Sequence, residues 1–153
     1  MHYLTTLLFL TAAASAIDIR EFPDESHCAG DYFLYRDAKP NICYTSGEES
    51  KSSSFSFYAI PKNWRISTRS HTGWMCKDIK WVRDSNGRDT VCHGAKKPLH
   101  NYEGAGYSFI NKRGEPVAGA AGSRECRGPD LLVYEHGPTY DLKGLDEAMV
   151  KMM

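Results

Sequence analysis

The sequence predicts a small, mostly β protein held together by disulfides, and three observations carry that prediction. Short stretches alternate apolar and polar residues with period two, and no amphipathic helical pattern of four turns occurs between residues 28 and 142. Turn-forming strings such as Asn86-Gly87 and His136-Gly-Pro138 separate those stretches. All five cysteines, Cys28, Cys43, Cys76, Cys92 and Cys126, follow an apolar leader.

The leader is MHYLTTLLFLTAAASA. It contains no Asp, Glu, Lys or Arg and closes on Ala14-Ser15-Ala16, the small-x-small pattern that signal peptidase accepts. Residues 1–16 therefore read as a secretory signal peptide, too short for the roughly 20 residues a bilayer core needs. No later stretch is apolar enough to span, so the expected product is secreted, extracellular and without a membrane partner. Residues 17–27, with Asp18, Arg20, Glu21, Asp24 and Glu25, read as a mobile acidic leader, and residues 28–153 as a single β-rich domain. No Asn-x-Ser/Thr triplet marks a glycosylation site.

The cysteines form no CxxC pair, which argues against zinc and thioredoxin-type sites. In an oxidising compartment they should give two disulfides and one leftover thiol, with the connectivity open. The favoured pairing is Cys76–Cys92, stapling a local hairpin, with Cys126 joined to Cys28 or Cys43.

Tyr32–Tyr35 is the first strand candidate after the leader, and Thr45–Ser54 reads as a polar loop with no core-forming side chain. Phe55–Ile60 and Trp64–Thr68 alternate around Pro61-Lys-Asn63 and predict a hairpin that buries Trp64 and Ile66 and leaves Arg65 and Arg69 on one wet face. Ile79–Val82 and Thr90–Cys92 predict a second hairpin across Asn86-Gly87. Asp84, Asn86 and Asp89 lack the further ligands and closing Glu of an EF-hand loop, so no metal is expected. Tyr107–Ile110 is a third strand signal, and residues 114–128 read as a Gly/Ala-rich loop. Leu131–Tyr134 and Thr139–Leu142 form a final hairpin. A short helix over 146–153 has acids in its first turn and Lys151 in its last.

Formal net charge is zero but unevenly spread. Residues 17–50 carry eight acidic and three basic side chains, whereas residues 55–97 carry nine basic against three acidic. Such asymmetry suits an acidic partner, and Arg65, Arg69, Lys77, Lys80 and Arg83 are its candidate contacts. Trp64, Trp74 and Trp81 are either core residues or stacking platforms for a carbohydrate, with the core favoured. Cys92-His93 reads as a disulfide cysteine beside a surface imidazole. No Gly-x-Ser-x-Gly, His-Glu-x-x-His or P-loop is present, and no cofactor is expected.

Two stretches resemble known families. Pro98-Leu-His-Asn-Tyr-Glu-Gly-Ala-Gly-Tyr-Ser-Phe109, with Glu115 twelve residues beyond Glu103 and Gly128-Pro-Asp130 further on, resembles the T1-like fungal ribonucleases. That likeness implies an α+β ribonuclease-like alternative fold, with Tyr102 and Glu103 gripping guanine, Glu115 as general base and His100 nearby. Leu131 occupies the place of that family's arginine, and residues 141–147 hold no histidine to act as general acid. The implied alternative is RNA binding, or cleavage by an incomplete catalytic set.

The second likeness covers more of the chain. Ser53–Ser67, then Cys76, Cys92, Gly104-Ala-Gly-Tyr-Ser-Phe-Ile110 and the ending Pro129–Leu142 are similar to small secreted cysteine-containing proteins of ascomycete fungi, which often adopt a Greek-key, β/γ-crystallin-like sandwich. The calcium signature of microbial β/γ-crystallins is absent. This resemblance implies a β-sandwich with a short C-terminal helix, monomeric and non-enzymatic. It implies an effector that binds a host protein of a plant to modulate immunity, or is recognised as an avirulence factor, with entry into host cells left open.

Overall fold

A computed structural model describes residues 16–48, 50–94, 102–111, 114–115, 125–145 and 149–150. Among these residues eleven strands run in chain order: β1 Ile17–Phe22, β2 Tyr32–Ala38, β3 Cys43–Tyr44, β4 Ser54–Tyr58, β5 Ile66–Thr72, β6 Asp78–Asp84, β7 Thr90–Gly94, β8 Gly104–Phe109, β9 Cys126–Arg127, β10 Leu131–Val133 and β11 Thr139–Asp141. A 3-10 turn, Trp74–Cys76, joins β5 to β6. The strands form one sheet in the order β11-β10-β2-β1-β4-β7 and another in the order β6-β5-β8-β3-β9.

That order contains two interlocked Greek keys. In the first, β1 and β2 pair, β3 crosses to the second sheet, and β4 returns beside β1. In the second, β5 and β6 pair, β7 crosses to the first sheet, and β8 returns beside β5. The molecule is thus a mostly β, disulfide-stabilised sandwich with the β/γ-crystallin-like exchange of strands. The α+β alternative is not what the chain adopts, since Met149 and Val150 are the only α-helical residues among those described. The rest of the expected C-terminal helix lies outside the described residues, as do residues 1–15 and most of the Gly/Ala-rich loop.

Period-two patterning explains the core. Ile17 and Ile19 on β1, Tyr35 on β2, Phe55 and Phe57 on β4 and Val91 on β7 face inward from the first sheet. They meet Tyr44, Ile66, Ala105 and Tyr107 of the second, with Tyr102 between. Full burial of each large side chain contributes about 1.5–3 kcal/mol. Close approach of backbones needs glycine at Gly106, where a Cβ would lie 2.6 Å from the Ile42 carbonyl oxygen.

Four expectations are corrected here. The supposed mobile acidic leader contains β1, which is central in the first sheet, between β2 and β4. Ile17 and Ile19 alternate with Asp18 and Arg20, and that pattern outweighs the acidic composition. β4 and β5 do not pair; Pro61-Lys-Asn63 carries the chain from one sheet to the other. β6 and β7 also lie in different sheets, although Asn86 (φ 48°) and Gly87 (φ 74°) adopt the positive φ angles that their turn demands. Finally, the disulfides are Cys28–Cys92 and Cys43–Cys76, leaving Cys126 as the free thiol. Cys76–Cys92 fails because the hairpin it was to staple does not exist. The β10–β11 hairpin forms as expected.

The polar loop is less inert than its composition suggests. Ser46 and Ser52 are buried and donate hydrogen bonds to the fully buried Glu21 carboxylate, Ser46 at 2.8 Å, and Tyr35 donates to its other oxygen. Burial raises the Glu21 pKa above the usual carboxylate value, with these hydroxyls acting against it.

Candidate functional site

β5 and β6 form one side of the second sheet, and β6 is its edge. β6 reads Asp-Ile-Lys-Trp-Val-Arg-Asp, and all its side chains but Asp84 are exposed. Ile79, Trp81 and Val82 are 56%, 44% and 52% exposed, so three large apolar groups stand open on one strand. Asp78, Lys80, Arg83 and Asp84, interspersed with the apolar residues, were the signal that this strand lies at an edge rather than in a core. Sequence reasoning favours the core for Trp81 and does not single out Ile79 or Val82.

The five candidate cations all belong to this region. Arg65 precedes β5 and is exposed; Lys77 follows the 3-10 turn; Lys80 and Arg83 stand on β6. Arg69 shares the outward face of β5 with Arg65 but is half-buried, and its guanidinium donates to Ser108 Oγ at 2.7 Å. Burial lowers the Arg69 pKa. Arg83 reaches across the sandwich and donates to the Cys92 carbonyl of β7 at 3.1 Å. Among the described residues Arg65, Lys77, Lys80 and Arg83 make no ion pair. Between residues 65 and 84 the acids are Asp78 and Asp84, both on β6.

Behind Arg83 a crevice of about 70 Å³ opens between β6 and β7, lined by Trp81, Val82, Arg83, His93 and Gly94. His93 is not the surface imidazole expected but a buried one. Thr68 donates its hydroxyl to the Arg83 carbonyl at 2.6 Å, so it accepts from His93 Nε2–H at 2.8 Å, while Nδ1 accepts from Ser70 at 3.0 Å. Both ring nitrogens are thus satisfied by the neutral imidazole. Burial, with Arg83 nearby, brings the His93 pKa down to about 4. His71 is likewise buried and brought to about 4, by burial and by Arg69.

The ribonuclease-like residues do not assemble. Tyr102, expected to stack on a base, is fully buried against Phe55 at the bridge to Ser52. Glu103 is half-buried immediately before β8, and its backbone N–H bonds the His71 carbonyl at 2.9 Å. Glu115 lies beyond the far end of β8, exposed, in a turn where it accepts from Asn111 Nδ2 at 3.1 Å. A six-residue strand separates the two carboxylates by on the order of 20 Å. His100 lies outside the described residues. Of the tryptophans, Trp64 packs on Phe109 with ring centres 4.8 Å apart and Trp74 is half-buried, whereas Trp81 is exposed.

A second, shallower depression of about 640 Å³ lies along the β10–β11 turn, lined by Asp31, Tyr134, Glu135, His136, Gly137, Pro138 and Tyr140. No described cluster of three His, Cys, Asp or Glu side chains is arranged to hold a metal, and no described helix is long and apolar enough to cross a membrane.

Fold and edge together define a disulfide-stapled Greek-key sandwich with a partly apolar open strand flanked by basic residues. Residues 18–130 match the family model of the ARB_05566_N N-terminal domain, whose name comes from an ascomycete gene, and the chain belongs to that family. No curated protein and no solved structure matches the chain.

Proposed function

We propose that this protein is a secreted, non-enzymatic effector of fungal type that binds an acidic surface of a host protein and thereby modulates immunity. The observation that carries the reading is the cationic, apolar-bearing side of the second sheet, with Arg65, Lys77, Lys80 and Arg83 exposed around Ile79, Trp81 and Val82. Interfaces use such aromatic and arginine anchors, and matching charge speeds and selects encounter. Export is supported by the apolar leader and by two disulfides, which persist in oxidising compartments. The scattering of Tyr102, Glu103 and Glu115 supports a binding role over RNA cleavage.

Two measurements test it. N-terminal sequencing of protein recovered from culture medium should begin near Ile17, and a start at Met1 would remove export. Purified protein applied to plant tissue should dampen the elicitor-triggered oxidative burst. The Arg65→Glu/Lys80→Glu variant should lose about tenfold in potency with little change in Tm, because exposed charges contribute little to stability. A burst that wild-type protein leaves unaltered would overturn the reading.

A further inference from the structure

We infer that β6 is a strand-addition site, where an extended acidic segment of a partner protein pairs with the edge of the second sheet. The inference rests on the binding role proposed above and specifies how the partner is held.

Among the described residues four edge strands bound the two sheets: β11 and β7 in the first, β6 and β9 in the second. β11 has three residues, β9 two and β7 five, whereas β6 has seven. An edge strand leaves alternate N–H and C=O groups without a ladder partner, and proteins usually blunt such edges by shortness, bulges or charge. β6 has one register irregularity, opposite Ser70/His71, and carries Asp78, Lys80, Arg83 and Asp84, yet keeps its length and its exposed Ile79, Trp81 and Val82. A merely protected edge has no need of three open apolar side chains.

Strand addition draws affinity from main-chain hydrogen bonds and selectivity from pockets that take alternate side chains. The crevice between β6 and β7 beside Trp81 supplies one such pocket, of a size for a small apolar side chain. Charge selects the rest of the occupant. Five cations against Asp78 and Asp84 between residues 65 and 84 favour carboxylates at the positions that do not enter the crevice. The matching segment alternates acidic and small apolar residues in an extended conformation.

The probe is a fluorescein-labelled peptide alternating Glu and Val around one Tyr, titrated into the disulfide-intact protein by fluorescence anisotropy. Its comparators are the same peptide N-methylated at alternate residues, oligoglutamate of equal charge, and a single-stranded oligouridylate. The unmodified peptide should bind at least about tenfold more tightly than the N-methylated one, a difference of about 1.4 kcal/mol. It should also slow amide hydrogen exchange in β6, and Lys77→Glu/Lys80→Glu should weaken it without lowering Tm. Equal binding of both peptides and oligoglutamate would overturn strand addition while leaving the acidic-partner reading standing. Binding of the oligouridylate alone, or of no probe at all, would overturn both.

Discussion

His93 and Glu21 are two ionisable side chains that the sandwich encloses, and they carry opposite pH signatures. For His93, neutral in the fold and brought to about 4, the unfolded chain holds more protons as pH falls below 6.5. The stability it contributes is therefore present above about 6.5 and is lost as pH falls towards 4. His71 follows the same course. A shift of this size corresponds to at most about 3 kcal/mol per histidine. Glu21 acts the other way: its raised pKa means that protonation relieves a cost that grows as pH rises from 4.5 through its folded value. Acid denaturation between pH 6.5 and 4 should therefore be dominated by the histidine pair, partly offset by Glu21. In His93→Gln, which keeps a donor and an acceptor but no titrating ring, unfolding free energy measured by urea titration should vary less steeply over that range. An unchanged slope would show that His93 is not the group responsible. Neither side chain was legible as buried in the sequence, because nearby polar partners arrive from distant segments: Ser46 and Ser52 for Glu21, Thr68 and Ser70 for His93.

At the scale of elements, strands were legible and their partners were not. The strand candidates at Tyr32–Tyr35, Phe55–Ile60 and Tyr107–Ile110 all overlap strands of the fold. Pairing is a non-local property, and a short turn suggests a hairpin whether the chain stays in its sheet or crosses to the other. That is why the turns predict β4–β5 and β6–β7 hairpins that the molecule does not form. The same blindness made β1 look like a tail and Trp81 of β6 look like core, since a local pattern does not say which strand is central. The contrast yields a direct check. Ile19 on β1 is fully buried and Ile79 on β6 is more than half exposed. Ile19→Ala should cost about 2–5 kcal/mol, whereas Ile79→Ala should stay within about 0.5 kcal/mol. Comparable losses measured by chemical denaturation would mean that β6 is covered in solution.

For the whole molecule, the disulfides tie together what the Greek keys interleave. Cys28–Cys92 joins the segment entering β2 to β7, the strand contributed by the second key, and Cys43–Cys76 joins β3, contributed by the first, to the β5–β6 connection. Each bridge therefore links one Greek key to the other. The sequence disclosed two bridges and one spare thiol but not the partners, because connectivity follows from which strands cross between sheets. Sequence separations of 64 and 33 residues close long loops, and the chain-entropy model gives each bridge about 4 kcal/mol. Paired replacement, Cys28→Ser with Cys92→Ser, should lower unfolding free energy by about that amount, as should Cys43→Ser with Cys76→Ser. Cys126 is only half-buried, its thiol pKa raised by burial, and it sits on the two-residue β9 at the end of the second sheet. Cys126→Ser should leave both bridges intact by non-reducing peptide mapping and shift stability by less than about 1 kcal/mol. Loss of either bridge in that variant would mean that Cys126 takes part in the native pairing, and the two-key linkage would then have to be redrawn.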